Sequence, residues 1–322
     1  MNEFALIGRH FQRAPRSAAV RVGIGDDGAV ISPVPGAEWV VSVDMLVEGR
    51  HFFAGTDARR LGHKTLAVNL SDLAAMGAAP RFALLAGALP DADDDWLAAF
   101  MQGFRALADR FGVELIGGDT TRGPRNLCVT VIGDVPAGTA ITRAGANAGD
   151  DIYVSGTLGD AALALAALER RTTLPPDELA RAQARLEQPE PRVALGERLR
   201  GVATAALDVS DGLVGDLGHI LERSQTGAVV DLAQVPHSAA LAVKLAGAEH
   251  ALALQCVLAG GDDYELCFCA PPAERARVAA IAEALAVPVA RIGTITAGDS
   301  LVVTGADGAT MALPRAYDHF VA

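Results

Sequence analysis

Lysine is nearly absent from this chain of 322 residues, which has only Lys64 and Lys244. Neither follows a glycine-rich G-x-x-x-x-G-K-[ST] stretch, so a Walker-type nucleotide site is excluded, and the protein-kinase signature set is missing as well. Cysteine is scarce. Cys128, Cys256, Cys267 and Cys269 follow no disulfide or zinc-ligand spacing and read as reduced, inert thiols. Long apolar runs are also lacking. The longest, Ala161 to Leu168, falls far short of the ~18–20 residues that span a bilayer. The opening residues carry Glu3 early and have no continuous apolar core of the signal-peptide kind, so a cytoplasmic location is expected. Positive charge is in deficit, with 27 Lys+Arg against 39 Asp+Glu and a net charge of −12. That balance argues against nucleic-acid or membrane partners, which need a basic surface. Anionic small molecules remain admissible if metal ions stand between them and the carboxylates.

Hydrophobic residues make up 51% of the chain and charged residues 20%, enough to bury a large core. At roughly 150 residues per domain, the length suggests two domains. Periodicity alternates between strand and helix, which predicts a mixed α/β fold. Strands are expected at 39–44, 113–116, 127–135, 152–155, 203–209, 265–269, 290–295 and 301–303. Helices are expected over 57–76 (closed by Gly77), 95–111, 160–171 and 272–285, with another carrying Leu213, Leu217, Ile220 and Leu221. The Gly- and Ala-rich stretch 136–151 marks the boundary, giving domains over 1–138 and 148–322.

The placement of carboxylates is the informative feature. Apolar segments read as strands run repeatedly into Gly or Asp: VGIGDD (Asp26, Asp27), VVSVD (Asp44), LIGGD (Asp119), LDVSD (Asp208, Asp211) and LAGGDD (Asp262, Asp263). Carboxylates gathered at strand ends would form an oxygen-rich cage for hard divalent cations, above all Mg²⁺. Each has a plainer alternative: Asp211 could be a helix N-cap, and Asp26-Asp27-Gly28 an ordinary turn. Asp72 is harder to explain away, because it lies in a mostly apolar helix with Asn69 one turn before it. No G-x-S-x-G and no Cys/His constellation points to covalent catalysis.

In order, VGIGDDGAV, VSVDMLVEGRHF, KTLAVNLSDLAAMGAAP, LIGGDTTRGP, TRAGANAGDDIYVSGTLGD, LDVSDGL, LAGGDDYELCF and AYDHF resemble the thiamine-monophosphate kinase family, from Phe4 to Phe320. That family sits in the aminoimidazole ribonucleotide synthetase-like superfamily. The resemblance implies an N-terminal ATP- and Mg²⁺-binding α/β domain that pairs strands across a homodimer, and a C-terminal α/β domain. It implies transfer of the ATP γ-phosphoryl group to thiamine phosphate, assisted by several Mg²⁺ ions. The acceptor is already an anionic phosphate oxygen, so no general base is needed, and none is evident.

Carried over by position, Asp27, Ser42, Asp44, Asp72, Asp119, Asp208 and Asp211 match the family's metal-coordinating residues, and Val43 one that offers only its carbonyl. Gly118, Asp119, Arg143 and Ser210 match nucleotide-contacting positions, and His51, Glu265 and Tyr317 match positions around thiamine phosphate. Two departures stand out: Asp262 where the family has Glu, and Ala316 where it has Gly before the terminal aromatic. The competing expectations are a non-catalytic Mg–nucleotide sensor and a sibling enzyme of the superfamily. The sibling with a reactive N-terminal cysteine is disfavoured because the first cysteine is Cys128.

Overall fold

The computed structural model describes residues 3–305 and 308–314, arranged as two compact units. The first comprises the chain up to Leu73 together with Ala78–Gly138, and the second Ala74–Gly77 and the chain from Thr139 onward.

In the first unit a short helix α1 (Glu3–Leu6) precedes β1 (Val20–Val22), β2 (Val30–Ile31), β3 (Ala37–Val47), α2 (Ala58–Ala75), β4 (Ala79–Leu89), α3 (Asp94–Phe111), β5 (Glu114–Arg122) and β6 (Asn126–Pro136). Four strands form a sheet in the order β3-β6-β4-β5, so β3 and β5 are its edges. Both long helices follow from local chemistry. Asp93 caps α3 by accepting from the Asp95 and Trp96 N–H groups, and Gly112 ends it in the left-handed conformation. The stripe Leu97, Phe100, Phe104 and Leu107 is buried. Helix α3 meets α2 backbone to backbone: a Cβ on Gly62 would lie 1.9 Å from the Phe100 carbonyl oxygen, and one on Gly103 would lie 1.8 Å from that of Arg59. Only glycine allows that approach.

The edge strand β3 alternates cleanly. Val40, Ser42, Asp44 and Leu46 turn toward α2, whereas Trp39, Val41, Val43 and Met45 face the other way and are 37%, 60%, 57% and 51% exposed. On the same side of the sheet the β1–β2 pair packs over β4, β5 and β6, with Val20 against Phe82 and Ile116.

The second unit contains β7 (Asp151–Ser155), α4 (Asp160–Leu168), α5 (Pro176–Glu187), α6 (Val193–Leu199), β8 (Ala205–Asp208), α7 (Leu213–Ser224), β9 (Gly227–Asp231), α8 (Ala239–Leu245), α9 (His250–Ala259), β10 (Leu266–Ala270), α10 (Arg275–Leu285), β11 (Val289–Thr296) and β12 (Leu301–Thr304). Its six-stranded sheet runs β12-β9-β11-β7-β10-β8, with only the β12–β9 pairing parallel. β10 is buried along its whole length and holds Cys267 and Cys269, both free thiols.

Several expectations change. LAGGDD does not end a strand: the apolar run before it is helix α9, because ten consecutive mostly apolar residues fit a buried helix as well as a strand. Asp44 and Asp119 lie inside β3 and β5 rather than at their ends, since both strands extend further than their apolar cores. Strand β4 begins at the Ala79-Pro80 step that reads as a helix stop. A register shift between Pro80 and Phe82 accommodates the proline, which has no N–H to give the ladder. The helix expected over 160–171 ends at Leu168, and the one expected from Pro272 opens as a single 3₁₀ turn before α10.

Candidate active site

In the first unit, oxygen donors meet between β3 and α2. The Ser42 hydroxyl donates to Asp72 Oδ2 at 2.6 Å. Asp44, two residues along the same face of β3, is fixed by its backbone: its N–H donates to Asn69 Oδ1 at 3.0 Å, and Asn69 Nδ2 donates in turn to the Thr65 carbonyl at 3.1 Å. Asn69 is 1% exposed, so both ends of its amide are used in the interior. Ser42, Asp44 and Asp72 thus form one patch of hard oxygen ligands.

Asp119 is held elsewhere on the sheet. Asp44 pairs with Val129, Val129 with Leu85 and Leu85 with Gly118, which places Gly118 three strand spacings, roughly 14 Å, from Asp44. Gly118 has φ +148°, and a Cβ there would lie 1.9 Å from the Leu85 carbonyl oxygen, so this step of β5 admits glycine alone. Asp119 itself is exposed. Asp27 is exposed in the connection between β1 and β2, where its N–H donates to Asp26 Oδ1 at 2.9 Å. His51 accepts the Val47 N–H on Nδ1 at 3.1 Å, which leaves Nε2 as the protonated nitrogen of the neutral ring. Val43 points its side chain away from Ser42 and Asp44.

In the second unit, two acidic motifs far apart in sequence are joined by backbone bonds. Val209 N–H donates to the Glu265 carbonyl at 2.8 Å, Tyr264 N–H to the Val209 carbonyl at 2.8 Å, and Asp262 N–H to the Ser210 carbonyl at 2.9 Å. The segment Asp208–Gly212 is therefore strapped along the 262–265 loop, in which Asp262 and Tyr264 take positive φ values of 69° and 51°. On its other side one carboxylate oxygen, Asp216 Oδ2, accepts the N–H groups of both Ser210 and Asp211 at 3.0 Å. Burial pushes the Asp216 carboxyl up to about 7, against the downward pull of the backbone N–H groups it accepts. Asp208 is buried at the end of β8, whereas Ser210 and Asp211 are half-buried.

Arg143 is exposed, and its backbone is tied away from Ser210. The Ser224 hydroxyl, at the far end of α7, donates to the Arg143 carbonyl at 3.3 Å. Twelve residues of helix, about 18 Å, lie between Ser224 and the loop that carries Ser210. Glu265 is 0% exposed and its carboxylate is fully engaged: Arg192 Nε and Nη2, Arg185 Nη2 and the Ser155 hydroxyl all donate to it at 2.6 Å. Two residues before it, Asp263 is 2% exposed and accepts the Gly159 N–H on both oxygens, at 3.0 and 2.9 Å. Burial holds its carboxyl well above the ordinary range. Tyr317 and Ala316 lie outside the described residues.

Among the described residues, no three His, Cys, Asp or Glu side chains converge on one metal position. The donor chemistry of the Ser42–Asp44–Asp72 patch nonetheless suits Mg²⁺, which is commonly held by one or two carboxylates while substrate phosphates and water complete its shell. Asn69 and Asp216 have no role assigned from sequence. The signal for Asp216 was present, since it falls on the apolar stripe of α7 with Leu213, Leu217, Ile220 and Leu221, where a charged residue needs a reason.

Residues 25–135 match the family described as AIR synthase related protein, N-terminal domain, and residues 147–306 match AIR synthase related protein, C-terminal domain. The chain is 44% identical to thiamine-monophosphate kinase of Escherichia coli (strain K12), covering 99% of this chain and 98% of the relative. Its fold superposes on the crystal structure of thiamine-monophosphate kinase from Stenotrophomonas maltophilia K279a with a TM-score of 0.87 and 48% identity, covering 96% of this chain and 98% of that one. It also superposes on AaThiL complexed with AMPPCP and TMP, with a TM-score of 0.76, 28% identity and 92% of each chain covered.

Proposed function

This chain belongs to the AIR synthase related family and, within it, to the thiamine-monophosphate kinases; from that premise we propose how its own residues serve the reaction. The enzyme transfers the γ-phosphoryl group of ATP to thiamine phosphate, giving thiamine diphosphate and ADP. The bond to the β,γ-bridging oxygen breaks as a bond to an acceptor phosphate oxygen forms. That oxygen is already anionic, so no residue need remove a proton, and the problem is to hold two polyanions in line.

Ser42, Asp44 and Asp72 in the first unit, and Asp208 and Asp211 in the second, would hold Mg²⁺, with Asp27, Asp119 and the Val43 carbonyl as further donors. Bound Mg²⁺ supplies neutralisation of the charge on the donor and acceptor phosphates. The chain's contribution is rigidity. Asn69 fixes the backbone at Asp44, Ser42 orients Asp72, and the 262–265 loop fixes the backbone at Ser210. The observation that carries this reading is the oxygen-only contact of Ser42 with Asp72, beside Asp44 on a rigid strand. Gly118, Arg143 and Ser210 would contact the nucleotide, and His51 and Tyr317 the thiamine phosphate. Glu265 would act on the acceptor through Arg185 and Arg192, because its own oxygens are occupied.

The exposed row Trp39, Val41, Val43 and Met45 on an edge strand supports a homodimer, with a second copy covering that face. Four free thiols support action in a reducing compartment, the cytoplasm.

The experiment is an ADP-release assay with thiamine, thiamine phosphate and thiamine diphosphate offered as acceptors, at saturating Mg–ATP and increasing free Mg²⁺. Turnover with thiamine phosphate alone, climbing as free Mg²⁺ rises beyond that bound to ATP, is expected. Turnover that is already maximal at negligible free Mg²⁺ would remove the multi-metal reading.

A further inference from the structure

We propose that Asp216 is a positioning residue for phosphoryl transfer, setting the backbone from which Ser210 and Asp211 present their side-chain oxygens. The proposal rests on the reading that the 208–211 loop bears nucleotide or metal contacts. Asp216 sits at the end of the first turn of α7, and helical side chains tilt toward the N-terminus, so its carboxylate reaches back past the start of the helix. It is 5% exposed, and a buried carboxylate must be satisfied by donors. The donors it takes belong not to the helix but to the loop before it, Ser210 N–H and Asp211 N–H, both on Oδ2 at 3.0 Å. The residue in the ordinary capping position, Gly212, has no side chain to do this.

The carbonyls of the same segment are held from the opposite direction, Val209 by Tyr264 N–H and Ser210 by Asp262 N–H. Donors and acceptors of the loop are thus fixed independently, while the side chains of Ser210 and Asp211 are left half-buried and pointing from a rigid frame. One consequence separates this loop from a phosphate-binding turn. Phosphate cradles work through free backbone N–H groups at a helix N-terminus. Here the N–H groups of Ser210 and Asp211 are taken by a carboxylate, so a polyanion approaching those two residues meets their side-chain oxygens, a contact that a bridging cation would make attractive.

The test compares Asp216→Ala, which removes the acceptor, with Asp216→Asn, which keeps an oxygen at the same reach. Before any ligand is added, amide exchange at Ser210 and Asp211 is expected to be slow in the wild type and the Asn variant. In the Ala variant it should be about tenfold to a hundredfold faster, the scale of leaving a buried N–H donor without its acceptor. With substrates, Asp216→Ala should raise the KM for Mg–ATP and lower kcat by a similar factor, leaving the KM for thiamine phosphate within about twofold, whereas Asp216→Asn recovers most of both. Rapid exchange at the two amides in the wild type would overturn the proposal whether or not the Ala variant folds. So would an Ala variant with unchanged exchange and kinetics. Asp211→Asn is the control for the underlying reading. If it leaves turnover and Mg–ATP affinity intact, the loop is not a ligand-bearing one. If it abolishes turnover while Asp216→Ala does nothing, only the positioning role fails.

Discussion

Arg192 grips Glu265 as a two-pronged fork, Nε on Oε2 and Nη2 on Oε1, each at 2.6 Å, with the carboxylate wholly out of solvent. Arg185 and Ser155 complete the coordination. Such a carboxylate is an anchor for two guanidinium groups. Glu265→Gln would leave two cations facing a neutral amide, and breaking a buried pair in this way costs about 3–5 kcal/mol. A fall in unfolding free energy of that size, read from urea titrations, is expected, together with weaker thiamine phosphate binding. An unchanged melting profile with impaired thiamine phosphate binding would instead make Glu265 a direct ligand contact.

Asp44→Asn and Asp72→Asn keep side-chain volume and delete charge from the β3–α2 patch. Each should lower kcat by ~10²-fold or more, the scale of losing one preorganised charge-stabilising group, while the folded state survives. Steady-state rates and circular dichroism on the same samples check this, and near-wild-type rates in both would remove the patch from the mechanism.

Asn69→Ala leaves the Asp44 N–H without its acceptor in the interior. Stability should fall by about 1–3 kcal/mol in urea titrations, and activity should fall beyond what that loss of folded protein explains.

Val41→Glu places a charge in the middle of the exposed apolar row of β3, at a position 60% exposed in the single chain. Sedimentation should show a dimer for the wild type and a monomer for the variant. A variant that still sediments as a dimer would place the self-association surface elsewhere.

Asp151 gives a pH-dependent stability. Hydrogen bonds from Arg275, and from Arg291, hold its carboxyl below the ordinary range despite burial. A depressed native value means the contribution is present above the unfolded value of about 3.9 and is lost as pH falls through the native one. Between neutral pH and pH ~3 the wild type should therefore lose more stability than Asp151→Asn, as read from thermal melts across that range.

Helix α3 was legible because its apolar residues recur on one face and its ends carry Asp93 and Gly112, so pattern and caps agree. Strand β4 was not, because a strand covered on both faces loses the polar alternation that marks a half-exposed one, and Phe82-Ala83-Leu84-Leu85-Ala86-Gly87-Ala88-Leu89 has none. Helix α9 reads equally well as a strand for the same reason: ten mostly apolar residues carry no period to distinguish the two. At the site, the acids themselves could be picked out by type and neighbourhood. Their partners could not, since the link from Asp216 to Ser210 depends on a helix turning back over its own entry. The link from Glu265 to Arg185 and Arg192 joins residues 80 and 73 positions apart.

The two-sidedness of β3 constrains how this strand can change. Its residues answer to opposite surroundings in strict alternation, so any one of them can be exchanged for another of like character with a local effect. Adding or deleting one residue between 40 and 46 is different in kind, because every position beyond the change turns over at once. With the change just after Val40, Ser42 and Asp44 would swing outward as Val41 and Val43 turned inward, and phosphoryl transfer and the self-association proposed for the outer face would fail together. Length, more than identity, is the property this strand cannot let drift.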